Sequence, residues 1–191
     1  MSKFQKQFQD LDPKKTRRYV ALGVVGLIFI VLFFRSWTDI NPGEEGFVYR
    51  PYGGGVEKEK TYGEGTILIA PWNEMITYNT RQQSKSYTSE VMDINGTDIN
   101  VKIAVNYSAA GGKIANLHLK HGPEFITFID DKAQGAIKDV IGRYTYEQVY
   151  SSKREALEGE IESILQNDFK GNYITLHYVE IADVNLPPNI A

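Results

Sequence analysis

The chain has 191 residues, 42 % hydrophobic, 24 % charged and 12 % aromatic, with no cysteine; this excludes a disulfide framework, a thiolate metal site, a cysteine nucleophile and a disordered chain. The formal charge of −3 hides a split: residues 1–18 carry six basic side chains against Asp10 and Asp12, whereas residues 36–191 carry 14 basic against 22 acidic ones. An acidic body without a Lys/Arg-rich face argues against nucleic acid as a partner, because such affinity rests on cations matched to phosphates.

Between tail and body, residues 20–34 read VALGVVGLIFIVLFF, fifteen positions without a charge or a side-chain hydrogen bonder. As a helix that run is about 22 Å long, short of a hydrocarbon core of about 30 Å. The flanks supply the remainder: Tyr19 and Trp37 suit two interfacial aromatic anchors, and Arg35 can snorkel to the headgroups. Residues 19–37 are therefore predicted to be an uncleaved transmembrane signal anchor behind a basic tail, residues 1–18. The rival readings are a cleaved signal peptide, disfavoured because no A-x-A pattern follows the run, and a buried core helix. Lys14, Lys15, Arg17 and Arg18 against the lone Arg35 keep the N-terminus cytosolic or in the matrix and export everything after Trp37. Gly23 and Gly26 are spaced by three, which is not a GxxxG dimerisation pattern.

The exported part, residues 38–191, begins with the turn signal Asn41-Pro42-Gly43. Residues 46–50 (GFVYR), 66–70 (TILIA) and 75–80 (MITYNT) read as short strands, punctuated by Pro51 to Gly55 and by Pro71-Trp72-Asn73, and are expected to form β-hairpins. A weaker strand over residues 87–93 ends at Asn95-Gly96, a strong hairpin signal. In the next strand Ile99, Val101, Ile103, Val105 and Tyr107 alternate with Asn100, Lys102, Ala104 and Asn106, which predicts one apolar and one wet face. From Pro123 the period becomes helical. Phe125, Ile126, Phe128, Ile129, Ala133, Ala136, Ile137, Val140 and Ile141 fall on one stripe that ends at Gly142. Thr145 and Ser152 open two further helical pieces, the second with capping-box spacing Ser152-Lys153-Arg154-Glu155 and the stripe Leu157, Ile161, Ile164, Leu165, Phe169 before Gly171. Residues 173–186 return to a strand, stopped by Leu186-Pro187-Pro188. Strands, then helices, then a returning strand describe an α+β domain.

Motifs that carry chemistry are scarce. His118 and His121 stand three apart and Glu124 follows, a spacing that could serve a metal-dependent hydrolase but reads better as a solvated helix end. Residues 93–98 start like a calcium loop and fail, because glycine comes at the fourth position and Ala104 stands at the twelfth. Gly53-Gly54-Gly55 and Gly63-Glu64-Gly65 lack the following glycine and helix start of a phosphate loop, and no G-x-S-x-G elbow exists. Asp130, Asp131, Glu158, Glu160 and Glu162 read as solvated helix faces. The sequons at Asn95 and Asn106 read as incidental.

The order of these features resembles the stomatin, prohibitin, flotillin and HflK/HflC superfamily, also called band 7 or SPFH proteins. Asn41-Pro42-Gly43-Glu44-Glu45-Gly46 is similar to the family's P-G-x-x-G lead-in, Gly63-Glu64-Gly65 through Ile69-Ala70-Pro71-Trp72 to its G-x-G-…-P-W segment, and Ile76-Thr77-Tyr78-Asn79-Thr80-Arg81 to its y-d-x-R strand. Residues 137–144, Thr145 and Arg154-Glu155 resemble its central helices, and residues 174–186 its closing strand. The pattern is closest to prohibitin. The resemblance implies a non-catalytic domain, without cofactor, that assembles with copies of itself or a paralogue into rings or cages on a lipid bilayer. For prohibitins and HflK/HflC it also implies restraint of a membrane-anchored AAA protease, and an adaptor or inhibitor of such a protease that works without ring assembly is the alternative. Family members continue into a long heptad helix, whereas this chain stops at Pro187-Pro188-Asn189-Ile190-Ala191. That implies either a piece of a longer protein or a chain without the main ring-closing element. The expected host is a bacterial inner membrane rather than a mitochondrial one.

Overall fold

The structure, a computed structural model, describes residues 13–185. Helix α1 (Pro13–Arg35) has a proline at its first described position, where a fixed φ suits a helix start, so Lys14, Lys15, Arg17 and Arg18 of the basic tail stand in its first turns, and residues 1–12 lie outside the described residues. Ser36 ends it: its hydroxyl donates to the Leu32 carbonyl (2.9 Å) and its N–H to the Phe33 carbonyl (3.2 Å). Strand β1 (Trp37–Ile40) begins with only Ser36 between it and the helix. Trp37 thus belongs to a strand, not to the helical anchor of residues 19–37.

Seven further strands follow: β2 (Glu44–Arg50), β3 (Gly55–Val56), β4 (Gly65–Leu68), β5 (Glu74–Asn79), β6 (Gln83–Met92), β7 (Asp98–Ala109) and β8 (Ile174–Asn185). Those before β6 are not a chain of hairpins. Antiparallel β1 pairs with β4, and β2 lies between β3 and β5, so only β2 and β3 form a hairpin, turned by Gly53, Gly54 and Gly55 at positive φ. Pro71-Trp72-Asn73 makes a tight turn, with Asn73 N–H on the Ala70 carbonyl (2.8 Å), but β4 and β5 leave it for different partners.

The main sheet has the order β6-β7-β8, with an unbroken β6–β7 register from Gln83↔Tyr107 to Met92↔Asp98 and two register shifts between β7 and β8. Helix α2 (Ile114–His121) and a short 3₁₀ turn (Gly122–Glu124) lead into α3 (Phe125–Ile141); a wide turn at Gln148–Ser152 precedes α4 (Arg154–Phe169). Helix α3 packs on β6 and on α4, and α4 lies along β8. Ile99, Val101, Ile103, Val105, Ile137, Val140, Leu157 and Ile161 are all sealed in the resulting core. The wet face of β7 holds only for its first half. From Val105 to Ala109 every residue is buried, because the β2–β5 layer abuts this end.

Two stripe positions lie at the margin. Ile126 is 37 % exposed in the first turn of α3, where a stripe residue has neighbours on one side only. Ile164 is half-buried, because α4 sits over the sheet edge with the stripe's other margin against β8. A capping box forms at Thr145, whose N–H donates to Gln148 Oε1 (3.1 Å) while Gln148 N–H donates to Thr145 Oγ1 (3.4 Å); the side chain of Ser152, where the sequence spacing put one, lies outside the described residues. The proline stop at residues 186–188 lies outside the described residues.

Candidate functional site

The histidines do not converge. The Tyr78 hydroxyl lies 2.6 Å from His118 Nδ1 and donates to the Gly122 carbonyl (3.2 Å), so Nδ1–H pointing at the phenol oxygen satisfies all three groups. The His118 ring also packs on Phe47, 5.1 Å between centroids. His121 Nε2 sits 2.8 Å from Asn172 Oδ1, with its ring against Phe128. Both rings tie α2 to neighbouring segments instead of forming a solvated helix end. Glu124 is exposed, and among the described residues no three His, Cys, Asp or Glu side chains group to hold a metal.

The acidic residues read as solvated faces are partly structural. Asp130 accepts from the Tyr87 hydroxyl (2.8 Å) and from Lys85 Nζ (2.7 Å); burial first, then the adjacent Asp130 carboxylate, pushes the Tyr87 phenol far above its ordinary range. Glu160 accepts from the Tyr144 hydroxyl. Glu162 and Glu158 reach off α4 to the outward N–H groups of Val179 and Ile181, each at 2.8 Å. Strand β8 is a sheet edge, and these carboxylates fill the donors that an edge otherwise leaves open. Asp131 remains exposed. In the loop that begins like a calcium site, the buried Asp93 carboxylate accepts from Asn95 N–H and Thr97 N–H (2.8 Å each) and Tyr146 N–H (3.1 Å). Burial alone would raise its pKa, but these backbone donors hold it below the usual carboxylate range.

Two motifs far apart in sequence meet at the base of the domain. Gly43 has φ +77°, and a Cβ there would overlap the Arg81 guanidinium, which donates to the Pro42 carbonyl at 2.6 Å. Thr80 closes the same junction through its N–H and hydroxyl on the Gly43 carbonyl.

The remaining candidate is the face where the helix leaves the domain. Residues 16–35 form a stretch of mean hydropathy 2.0, none of it buried, long and apolar enough to cross a membrane. That excludes the buried core helix. Arg17, Arg18 and Tyr19 lie exposed near its start and Arg35 in its last turn, where a cation complements the helix dipole. The side chains of Lys14 and Lys15 lie outside the described residues. Because Ile69 N–H donates to the Ser36 carbonyl (2.9 Å), the β4–β5 turn is held against the helix end. Trp37 and Trp72 come out 57 % and 58 % exposed around that exit, with Leu68 and Tyr52 exposed nearby. Trp72, Leu68 and Tyr52 were not marked as interfacial by the sequence; a tryptophan at the tip of a proline turn is the signal that could have found them.

The sequence model of the SPFH domain / Band 7 family matches residues 38–191. The chain belongs to the SPFH/Band 7 family. Proteins of this family are in general membrane-associated, scaffold-like and non-catalytic. No curated protein matches the chain. The SPFH match starts one residue after Trp37, so the apolar helix and the family domain adjoin with no linker between them.

Proposed function

We propose that this SPFH protein is a single-pass membrane scaffold of the prohibitin-like branch, with its N-terminus cytosolic and its acidic domain exported, in a bacterial inner membrane. Copies of the chain, or of the chain and a paralogue, pack laterally into a ring or cage that organises the surrounding bilayer and restrains a membrane-anchored AAA protease. The observation that supports this reading is the direct passage from a fully exposed apolar helix into strand β1: with that helix in a bilayer, the domain would sit on the membrane surface. Net-acidic neighbours would have to meet through apolar or charge-matched edges rather than through bulk attraction.

The test is the full chain in its own membrane. Resistance to alkaline extraction, and proteolysis of the domain only from the exported side, support the anchor and its orientation. Extraction in mild detergent as a large, uniform particle supports assembly, and a monomer refutes it. A protease that co-purifies in fixed proportion with a monomeric chain would replace the scaffold reading by that of an adaptor.

A further inference from the structure

Two grooves meet on Trp72. The first, about 340 Å³, is walled by Phe29, Leu32, Phe33 and Ser36 of the helix exit and by Pro71 and Trp72 of the turn, and is almost wholly apolar. The second, about 520 Å³, shares Pro71 and Trp72 and adds Arg35, Tyr49, Tyr52 and Glu74. Arg35 and Glu74 form no salt bridge with any described residue. The pair of grooves is therefore amphiphilic: an acyl-sized slot along the membrane helix, then, past one tryptophan, a cation, an anion and tyrosine rings.

We propose that this double groove seats one zwitterionic phospholipid from the leaflet under the domain. Its chain lies in the slot against Phe29 and Phe33, its phosphate on Arg35 and its ammonium on Glu74 beside the tyrosine rings. The occupant follows from continuity and charge. The slot's wall is the candidate membrane helix itself, so lipid is the neighbour at that depth once the helix is inserted. A phosphodiester matches the guanidinium, and Glu74 then discriminates against a headgroup whose charge is only negative. Aromatic rings near an ammonium add attraction through their faces. One seated lipid would hold the turn against the helix and fix the inclination of the domain to the membrane. The inference rests on the anchor reading of α1.

The chain's two tryptophans provide the readout, since Trp37 lines neither groove. The full chain is reconstituted in vesicles of equal parts phosphatidylcholine and phosphatidylglycerol, one of the two brominated on the chain near its carbonyl end. Trp72 fluorescence is read in a Trp37→Phe variant and Trp37 fluorescence in a Trp72→Phe variant. Trp72 should be quenched about two- to fivefold more strongly by brominated phosphatidylcholine than by brominated phosphatidylglycerol, the range set by one exposed ion pair. Trp37 should be quenched equally by both, and Glu74→Gln should abolish the Trp72 preference. Equal quenching of Trp72 by the two lipids, or a preference that survives Glu74→Gln, overturns the proposal. So does an unquenched Trp72 beside a quenched Trp37, which leaves the anchor standing. If neither tryptophan is quenched, α1 is not in the bilayer, and anchor and lipid seat fall together.

Discussion

Replacing Glu158 and Glu162 together by leucine removes the acceptors for two buried backbone donors, Val179 N–H and Ile181 N–H. Each orphaned donor costs about 1–3 kcal/mol, so the pair costs about 2–6 kcal/mol. At about 2–4 °C per kcal/mol for a chain of this size, the melting temperature falls by roughly 4–24 °C. The double Glu→Gln variant keeps a neutral carbonyl acceptor at each site and should fall between the variant and the parent, because a charged acceptor is about twice as strong as a neutral one. Far-UV circular dichroism of the full chain in mild detergent measures the melting. Hydrogen exchange across residues 174–185 tests the location, since edge amides freed from their carboxylates should lose protection. If the leucine variant melts within about 0.5 kcal/mol of the parent and β8 keeps its protection, these acids are a solvated helix face and the edge-clamp reasoning is wrong.

Acid should loosen the β6–β7 tip only once the pH falls below the ordinary carboxylate range. The folded pKa of Asp93 is lowered, so its stabilisation is full above the ordinary carboxylate range and is lost as pH falls through the folded pKa; an Asp93→Asn variant should show a flatter acid limb in melting against pH. Ile103→Asp or Ile137→Asp puts an unpaired charge into a sealed core and should cost several kcal/mol, of the order of 3–5, whereas Ile126→Asp on the exposed margin should cost under about 1 kcal/mol, all read by thermal melting. Gly43→Ala forces a left-handed conformation on a residue with a Cβ and displaces Arg81, costing about 1–2 kcal/mol in denaturant titration. Neutralising Lys14, Lys15, Arg17 and Arg18 together should mix the orientations of the domain, visible as partial protease protection from both sides of the membrane.

What the sequence determined by itself is whatever repeats within a few residues: the apolar run and its flanking charges, the two-residue alternation of β7, the helical stripes of α3 and α4, and the turns at Asn95-Gly96 and Gly53 to Gly55. Such periodicities arise from the geometry of one strand or one helix and are complete in the local sequence. The SPFH resemblance was legible for the same reason, as an ordered series of local motifs. Partner choice was not. Alternation marks a strand without naming its neighbour, so β1 with β4 and β2 with β5 replaced the expected hairpins. It also leaves open what covers a second face, so the late residues of β7 are buried on both sides. The acids on α4 look like any solvated face until β8, closing the sheet from the far end of the domain, brings its unpaired N–H groups under them. Arg81 meets Pro42 across 39 positions, and the grooves at the helix exit form where the chain around Ile69, bonded to Ser36, brings Pro71 and Trp72 beside the helix. Those contacts depend on chain closure over long separations, and only the tertiary structure decided them.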